Sequence, residues 1–142
     1  FNVHLQSVGL EGGDYEAVRE GPDSEQRKRL FSTLSAAYVA RASQARALRD
    51  ALDKSPHPII LLGDFNDTPV SFALSTLKAS ETWPLFDAFS KGGEGLGSTY
   101  VGDVSGLRID YILYSKRFEL HSFHTYPVEL SDHRPISAVF SY

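Results

Sequence analysis

The spacing of apolar residues divides the first part of the chain into a strand, a loop and a long helix. Residues 1–6 alternate between apolar and polar side chains, which predicts a strand with Asn2 and His4 on one face. Residues 7–24 are rich in Gly, Asp and Glu and are predicted to form a loop. Over residues 24–54, apolar residues recur every three or four positions, which predicts a helix. Its other face carries five basic residues that we expect to be solvated: Arg27, Lys28, Arg41, Arg46 and Arg49.

The rest of the chain is predicted to contain mainly strands. Residues 58–62 form a continuous apolar run, which is typical of a strand buried on both faces. A short helix is predicted to follow, with Pro69 in its first turn and Asp67 as its cap. Residues 91–98 hold four glycines and are predicted to form a flexible loop. Three segments rich in β-branched and aromatic residues are predicted strands, the first two as a hairpin or meander: 107–115, 118–126 and 136–142. The pattern predicts a mixed α/β fold with a largely antiparallel C-terminal part.

The composition narrows the possible functions. A chain of 142 residues is long enough for one domain with a real core. Its net charge of −4 argues against a broad basic surface for non-specific nucleic-acid binding. The absence of cysteine excludes disulfides and thiolate nucleophiles, and no run of ~20 apolar residues predicts a transmembrane segment. The chain also lacks methionine, so we interpret it as a piece of a longer protein, a trimmed tag being the alternative.

Asp64 and Asn66 follow the predicted buried strand at its carboxyl end, where ligands commonly bind in layered α/β folds. Their spacing allows both side chains to face one centre. Asp64 would orient or deprotonate a water molecule, and Asn66 would donate to a phosphate oxygen. A simple turn is the alternative, since Gly, Asp and Asn are common turn residues. A Ca²⁺ site that also used Asp67 is disfavoured, because it lacks further ligands and the usual twelve-residue loop.

Ser131, Asp132 and His133 form a second polar cluster next to a predicted strand. Pro135 marks the beginning of that strand because proline cannot donate within a sheet. The Asp132 carboxylate suits Mg²⁺, which prefers oxygen ligands, and His133 could protonate or stabilise charge on a phosphate. The alternative is a capping aspartate beside a surface histidine.

Asp110 lies in an otherwise apolar strand, where an unpaired carboxylate costs several kcal/mol. A histidine is a natural partner, because an Asp–His pair fixes the orientation of the ring. Arg108 or a backbone amide is the alternative partner. His4 is a candidate second imidazole for a phosphate oxygen, or else a structural histidine, and Asn2 on the same face would lie at the edge of the site. The remaining histidines are interpreted as structural or surface residues: His57, His121 and His124.

Four short motifs occur in a specific order along almost the whole chain: Asn2–Leu5, Gly63–Asn66, Arg108–Ile112 and Ser131–Pro135. Together they closely resemble the endonuclease/exonuclease/phosphatase superfamily, which has the DNase I-like fold. The resemblance implies a four-layer α/β sandwich. It also implies a phosphoesterase that depends on Mg²⁺ or Mn²⁺ and hydrolyses a phosphodiester or phosphomonoester by in-line attack of water.

The resemblance also implies a role for each candidate residue. Asp64 would orient or activate the water and would share the metal ion with Asp132. His133, oriented by Asp110, would stabilise the pentacovalent transition state. Three side chains would contact the phosphate of the substrate: Asn66, His4 and Asn2.

The chain departs from the family pattern at its beginning. Family members carry an N-terminal half that includes a metal-binding glutamate, and none of the early glutamates fits that position: Glu11, Glu16, Glu20 and Glu25. Residues 1–142 are therefore expected to be the C-terminal part of one domain, with one mainly antiparallel sheet and flanking helices. The exposed sheet face would bind the missing N-terminal half or a second copy. The isolated segment is expected to be weak or inactive, and a non-catalytic binding module that kept the fold is the alternative function.

Overall fold

The protein is described by a computed structural model that covers residues 1–10, 12–102, 104, 106–128 and 130–142. The elements in chain order are β1 (Asn2–His4), α1 (Gly12–Glu20), α2 (Ser24–Asp53), β2 (Ile60–Asp64), α3 (Phe72–Lys78), β3 (Leu85–Asp87), α4 (Ala88–Gly92), β4 (Asp110–Ser115), β5 (Glu119–Thr125) and β6 (Ile136–Ser141). This mixture of strands and helices confirms the predicted α/β class. No helix within the described ranges is long and apolar enough to cross a membrane.

Four strands form the main sheet, in the order β1-β2-β4-β3. β1 and β2 are parallel, whereas β4 is antiparallel to both β2 and β3. The predicted hairpin between the strands at 107–115 and 118–126 is wrong, because β5 pairs with β6 in a separate two-stranded sheet. The physical reason is that β2 and β3 already occupy both edges of β4.

The core lies on both faces of the main sheet. On one face, α2 and α3 pack against β2 and β4 through the buried residues Leu52, Leu61, Leu74 and Leu113. On the other face, α4 and the β5–β6 sheet pack against alternate residues of β4 in a second cluster: Ala88, Ile112, Tyr114 and Phe123. Burial on both faces explains why β4 is an almost continuous apolar run.

Helix α1 occupies part of the region that was predicted to be a loop. The helix ends at Glu20, and the next residue is Gly21, whose φ of 92° is favourable for glycine and whose amide donates to the Ala17 carbonyl. Glu16 and Glu20 lie in α1, and Glu11 lies outside the described residues. The glycines at the beginning of α1 made this segment resemble a loop in the sequence.

Helix α2 confirms the long predicted helix, but Arg41 is not on a solvated face. Its side chain is 2% exposed, and its Nε donates to Asp67 Oδ2 at 3.0 Å. Its Nη1 also donates to the Gln6 carbonyl at 3.0 Å. Asp67 therefore does not cap α3, which begins at Phe72 with Ser71 as its N-cap. The apolar spacing of α2 could not reveal a buried arginine, because the partner lies on another element.

Candidate active site

The sheet aligns three predicted site residues in one row. His4 of β1 is in register with Asp64 of β2, which is in register with Asp110 of β4. Residues directly opposite each other on adjacent strands project to the same face of a sheet. The row therefore collects an imidazole and two carboxylates at one end of the main sheet. Asn2 is in register with Leu62, two residues away along β1 and β2, and is exposed.

Gly63 allows β1 and β2 to approach closely beside this row. Its φ is 137°, and a Cβ atom at this position would lie 1.9 Å from the backbone oxygen of Val3. Only glycine accommodates both the backbone conformation and this contact. The glycine before Asp64 is thus a structural requirement for bringing His4 beside Asp64.

Asn66 holds the Asp64 carboxylate in place. Asn66 adopts a left-handed conformation with φ of 50°, which asparagine tolerates better than most residues. Its amide donates to Asp64 Oδ1 at 2.7 Å, and its Nδ2 donates to Asp64 Oδ2 at 3.0 Å. The same Nδ2 donates to the Leu5 carbonyl at 3.0 Å, so the side chain also joins the end of β1 to this loop.

His133 completes the group from the segment before β6. Its Nδ1 lies 2.9 Å from Asp110 Oδ2, and its Nε2 lies 3.9 Å from Asp64 Oδ2. The structure therefore brings together the Asp110–His133 pair that the sequence predicted. The alternative partner Arg108 forms an ion pair with Asp87 instead, at 2.8 Å.

His4 approaches Asp64 from the opposite side. Its Nε2 lies 3.5 Å from Asp64 Oδ2, and its side chain is 73% exposed. Asp64 is thus flanked by two imidazoles, one exposed and one half-buried against Asp110.

The surroundings change the acidity of two of these groups. Burial raises the pKa of the Asp64 carboxyl above its ordinary value of 3.8, and the negative charge of Asp110 adds to this effect. The Asn66 amide and the two histidines act in the opposite direction. Burial lowers the pKa of His133, but the hydrogen bond to Asp110 and the nearby carboxylates outweigh it, so the net pKa is raised. Asp64 is therefore easier to protonate, and His133 keeps its proton to higher pH.

Residues 98–101 also contribute to the site, although sequence analysis assigned them no function. Tyr100 forms an isolated β-bridge with His133, and the two rings meet edge to face with centroids 5.3 Å apart. Thr99 is buried and accepts hydrogen bonds from the amides of Ile109 and Asp110. Neither side chain carries a charge at neutral pH, so no chemical pattern in the sequence marked them.

These elements enclose a cleft of about 630 Å³. Six of the predicted site residues line it: His4, Asp64, Asn66, Asp110, Asp132 and His133. Asn2 lies outside this lining. The rest of the wall is largely apolar or aromatic and includes Leu10, Tyr15, Tyr100 and Leu107.

Three of the lining residues could hold a metal ion. Asp64, Asp110 and His133 each offer one ligand atom, and these atoms all lie within 4.8 Å of one another. Asp132 is exposed and accepts a hydrogen bond from Ser131 Oγ at 2.9 Å. Of the two predicted metal ligands, Asp64 belongs to this close group. Within the described ranges, Asp132 is not part of the group, although it lines the same cleft.

Several solved structures are similar to this chain. One is an endonuclease/exonuclease/phosphatase from Bacteroides vulgatus, with 24% identity and a TM-score of 0.62 over 73% of this chain and 44% of that one. Another is a mannosyl-6-phosphatase from Bacteroides thetaiotaomicron, with 24% identity and a TM-score of 0.53 over 75% and 46%. A third is the human Nocturnin catalytic domain with bound sulfate, with 21% identity and a TM-score of 0.55 over 73% and 40%.

These similarities establish the DNase I-like fold, and the chain spans less than half the length of each of the three solved chains. No curated protein sequence matches the chain. The sequence profile of the Endonuclease/Exonuclease/phosphatase family matches residues 4–133, which include the row across the sheet as well as His133. This chain therefore belongs to the endonuclease/exonuclease/phosphatase family, whose enzymes act on phosphoesters.

Proposed function

We propose that this chain carries most of the catalytic residues of a divalent-metal-dependent phosphoesterase, which hydrolyses a phosphodiester or phosphomonoester by in-line attack of water. The observation that carries the proposal is the row His4–Asp64–Asp110, with His133 hydrogen-bonded to its last member. The row faces a cleft large enough for a phosphate group and part of its ester substituent.

The residues in the cleft fit a Mg²⁺ or Mn²⁺ ion. Carboxylate oxygens are the ligands that these ions prefer, and the Asp64 and Asp132 carboxylates line the same cleft. Asp64 and Asp132 are the proposed protein ligands because the family resemblance implies them, whereas the close group in the structure joins Asp64 to Asp110 and His133. When bound, the ion would neutralise charge on the phosphate and make a water molecule more acidic.

The side chains around the ion divide the remaining work. Asp64 orients the attacking water and accepts its proton, because Asn66 holds its carboxylate in place at the cleft through two hydrogen bonds. Asn66 holds Asp64 in position through its amide and its Nδ2. The other Nδ2 hydrogen donates to the Leu5 carbonyl, so the proposed contact of Asn66 with the phosphate requires one of these bonds to be released. These two residues prepare the nucleophile.

The two histidines act on the phosphate. His133 directs Nε2 into the cleft because Asp110 occupies Nδ1, and its raised pKa favours the protonated form that donates to a phosphate oxygen. His4 is proposed as the second donor, and Asn2 lies further along the same face as a peripheral substrate contact. Donors placed where negative charge develops stabilise the transition state.

The rest of the domain is the proposed partner of the exposed sheet face. Leu62 of β2 is 40% exposed and Phe86 of β3 is also exposed, and both lie on the face of the main sheet that carries the His4–Asp64–Asp110 row. Exposed apolar residues on one face of a sheet favour an interaction in which another surface covers that face. We propose that an N-terminal half of the same domain covers this face, that it supplies a further metal ligand, and that residues 1–142 alone self-associate and are weakly active or inactive.

The experiment compares the full native protein with the isolated 142-residue segment on bis(p-nitrophenyl) phosphate and p-nitrophenyl phosphate. Each protein is assayed with Mg²⁺, with Mn²⁺ and with EDTA. We expect hydrolysis by the full protein that EDTA abolishes and that added metal restores, with little hydrolysis by the segment. Equal metal-dependent activity in both would contradict the half-domain proposal.

The matched variants are Asp64→Asn and Asp50→Asn in the full protein. Asp50 is an exposed residue of α2, outside the cleft lining. We expect Asp64→Asn to lower kcat by at least ~100-fold, the usual contribution of a catalytic acid–base group, and Asp50→Asn to have no effect. Metal-independent activity in the full protein, or none on either probe, would favour a different function such as a non-catalytic binding module.

A further inference from the structure

Thr99 connects two parts of the site that are far apart in sequence. Its side chain is buried, with 1% of the residue exposed. Its Oγ1 accepts hydrogen bonds from the Ile109 amide at 3.1 Å and from the Asp110 amide at 3.2 Å. Its own amide donates to the Leu107 carbonyl at 2.9 Å. The side chain and the backbone of Thr99 thus both hold the segment that leads into β4.

The same short segment holds the backbone on both sides of His133. The Thr99 carbonyl accepts from the Arg134 amide at 2.7 Å, and the Val101 amide donates to the Asp132 carbonyl at 2.8 Å. Asp110 and His133 are 23 positions apart along the chain. Their backbones are therefore joined through residues 99–101 as well as through their own side chains.

The beginning of β4 needs this support because β3 does not reach it. β3 pairs only with residues 113–115 of β4, whereas Asp110 lies at the first position of the strand. The hydroxyl of Thr99 supplies the acceptor that a neighbouring strand would otherwise provide for the amides of Ile109 and Asp110. A buried amide without an acceptor is unfavourable, so loss of the hydroxyl should shift this part of the backbone.

The effect reaches Asp64 as well. The Ile109 carbonyl accepts from the Phe65 amide at 2.8 Å, and Phe65 lies between Asp64 and Asn66. A shift at Ile109 would therefore move the loop that carries the proposed general base.

We propose that Thr99 is a positioning residue that sets the geometry of Asp110, His133 and Asp64 through backbone hydrogen bonds, without touching substrate. The catalytic consequence rests on the proposed phosphoesterase function, whereas the backbone consequence does not. A substitution that removes the hydroxyl should reduce kcat and leave KM nearly unchanged, since misplacing catalytic groups by about 1 Å can cost ~100-fold.

The test uses Thr99→Val and Thr99→Ser in the full native protein. Valine keeps the shape and removes the acceptor, whereas serine keeps the acceptor and removes a methyl group. Thr125→Val on β5, outside the cleft lining, is the matched control. Each variant is assayed on bis(p-nitrophenyl) phosphate with Mg²⁺, and amide hydrogen exchange is measured at Ile109 and Asp110 by NMR.

We expect Thr99→Val to lower kcat by about tenfold to 100-fold with KM within about threefold, and Thr99→Ser and Thr125→Val to retain kcat within about threefold. Exchange at Ile109 and Asp110 should accelerate in the valine variant and not in the serine variant. Unchanged exchange and kcat in Thr99→Val, or equal losses in the valine and serine variants, would overturn the proposal.

If the valine variant does not fold, Thr99→Ala replaces it, because alanine against serine again isolates the hydroxyl. Equal exchange at both amides in these two variants would overturn the proposal. If the wild-type protein hydrolyses neither probe, the phosphoesterase function fails, but the difference in amide exchange still decides whether Thr99 holds the beginning of β4.

Discussion

The buried ion pair beneath the Asp64 loop gives a sharp prediction about stability. Arg41 and Asp67 are almost completely buried, and Nε lies 3.0 Å from Oδ2. Arg41 also donates to the Gln6 carbonyl, and the Asp67 carbonyl accepts from Tyr111 Oη at 2.9 Å. The pair thus joins α2 to the end of β1 and to the segment after Asn66. Replacing Arg41 with methionine would leave the Asp67 carboxylate buried without its cation.

The size of the effect follows from the geometry. At 3.0 Å and an effective dielectric constant of about 20, Coulomb's law gives roughly 5.5 kcal/mol for the direct attraction of Arg41 and Asp67. Loss of one partner of a buried pair typically costs about 3–5 kcal/mol, because the remaining charge is uncompensated. We therefore expect Arg41→Met to lower the free energy of unfolding by about 3–5 kcal/mol. The double variant Arg41→Met/Asp67→Asn should lose less than Arg41→Met alone, since no isolated charge remains.

The assay is urea unfolding of the full native protein at pH 7, followed by circular dichroism, with Arg46→Met as the control. Arg46 lies on the same helix but is exposed, with its guanidinium over the Phe72 ring. That substitution should cost less than about 1 kcal/mol. If Arg41→Met were no more destabilising than Arg46→Met, the reasoning from burial would be refuted. A double variant less stable than Arg41→Met alone would refute it as well.

Three further predictions concern the site and its supports. Asp110→Asn should lower the pKa of His133, because it removes the charge that favours the protonated ring, and it should reduce kcat by about 100-fold or more. An NMR titration that showed an unchanged pKa for His133 would contradict this. Gly63→Ala should lower the melting temperature markedly, since its Cβ would collide with a β1 backbone oxygen, and calorimetry showing no shift would refute the close approach. The pKa of Asp53 is lowered by the Ser80 hydroxyl, so this contact contributes stability above pH 3.8 that is lost as pH falls through the lowered pKa. Ser80→Ala should therefore destabilise the protein more at pH 7 than at a pH below the lowered pKa of Asp53, and a loss that does not change with pH would contradict it.

The apolar pattern was sufficient to predict the elements that carry the site. The continuous apolar run predicted the strand β2, and the three- and four-residue spacing predicted α2, because both depend on local periodicity. The prediction that this strand is buried on both faces was wrong, since Leu62 is 40% exposed. A carboxylate inside an apolar strand needs a partner, which predicted a histidine for Asp110 with Arg108 or a backbone amide as the alternative. The family resemblance then implied that this histidine is His133, which the structure places 2.9 Å from Asp110.

Other features depend on contacts between distant segments and were not predictable from local patterns. The burial of Arg41 depends on Asp67, which lies 26 positions away, so spacing along α2 alone made it appear solvated. The pairing of β5 with β6 depends on both edges of β4 being occupied. The contribution of Thr99 comes from a neutral hydroxyl and backbone groups, which leave no chemical pattern in the sequence.

His133 is proposed to act directly in phosphoester hydrolysis, and the most direct test compares His133→Ala with His124→Ala in the full native protein. His124 is an exposed histidine of β5, outside the cleft lining. With Mg²⁺ and bis(p-nitrophenyl) phosphate, kcat should fall by at least ~100-fold for His133→Ala and remain within about threefold for His124→Ala. A loss of no more than about threefold for His133→Ala would contradict the role proposed for this residue.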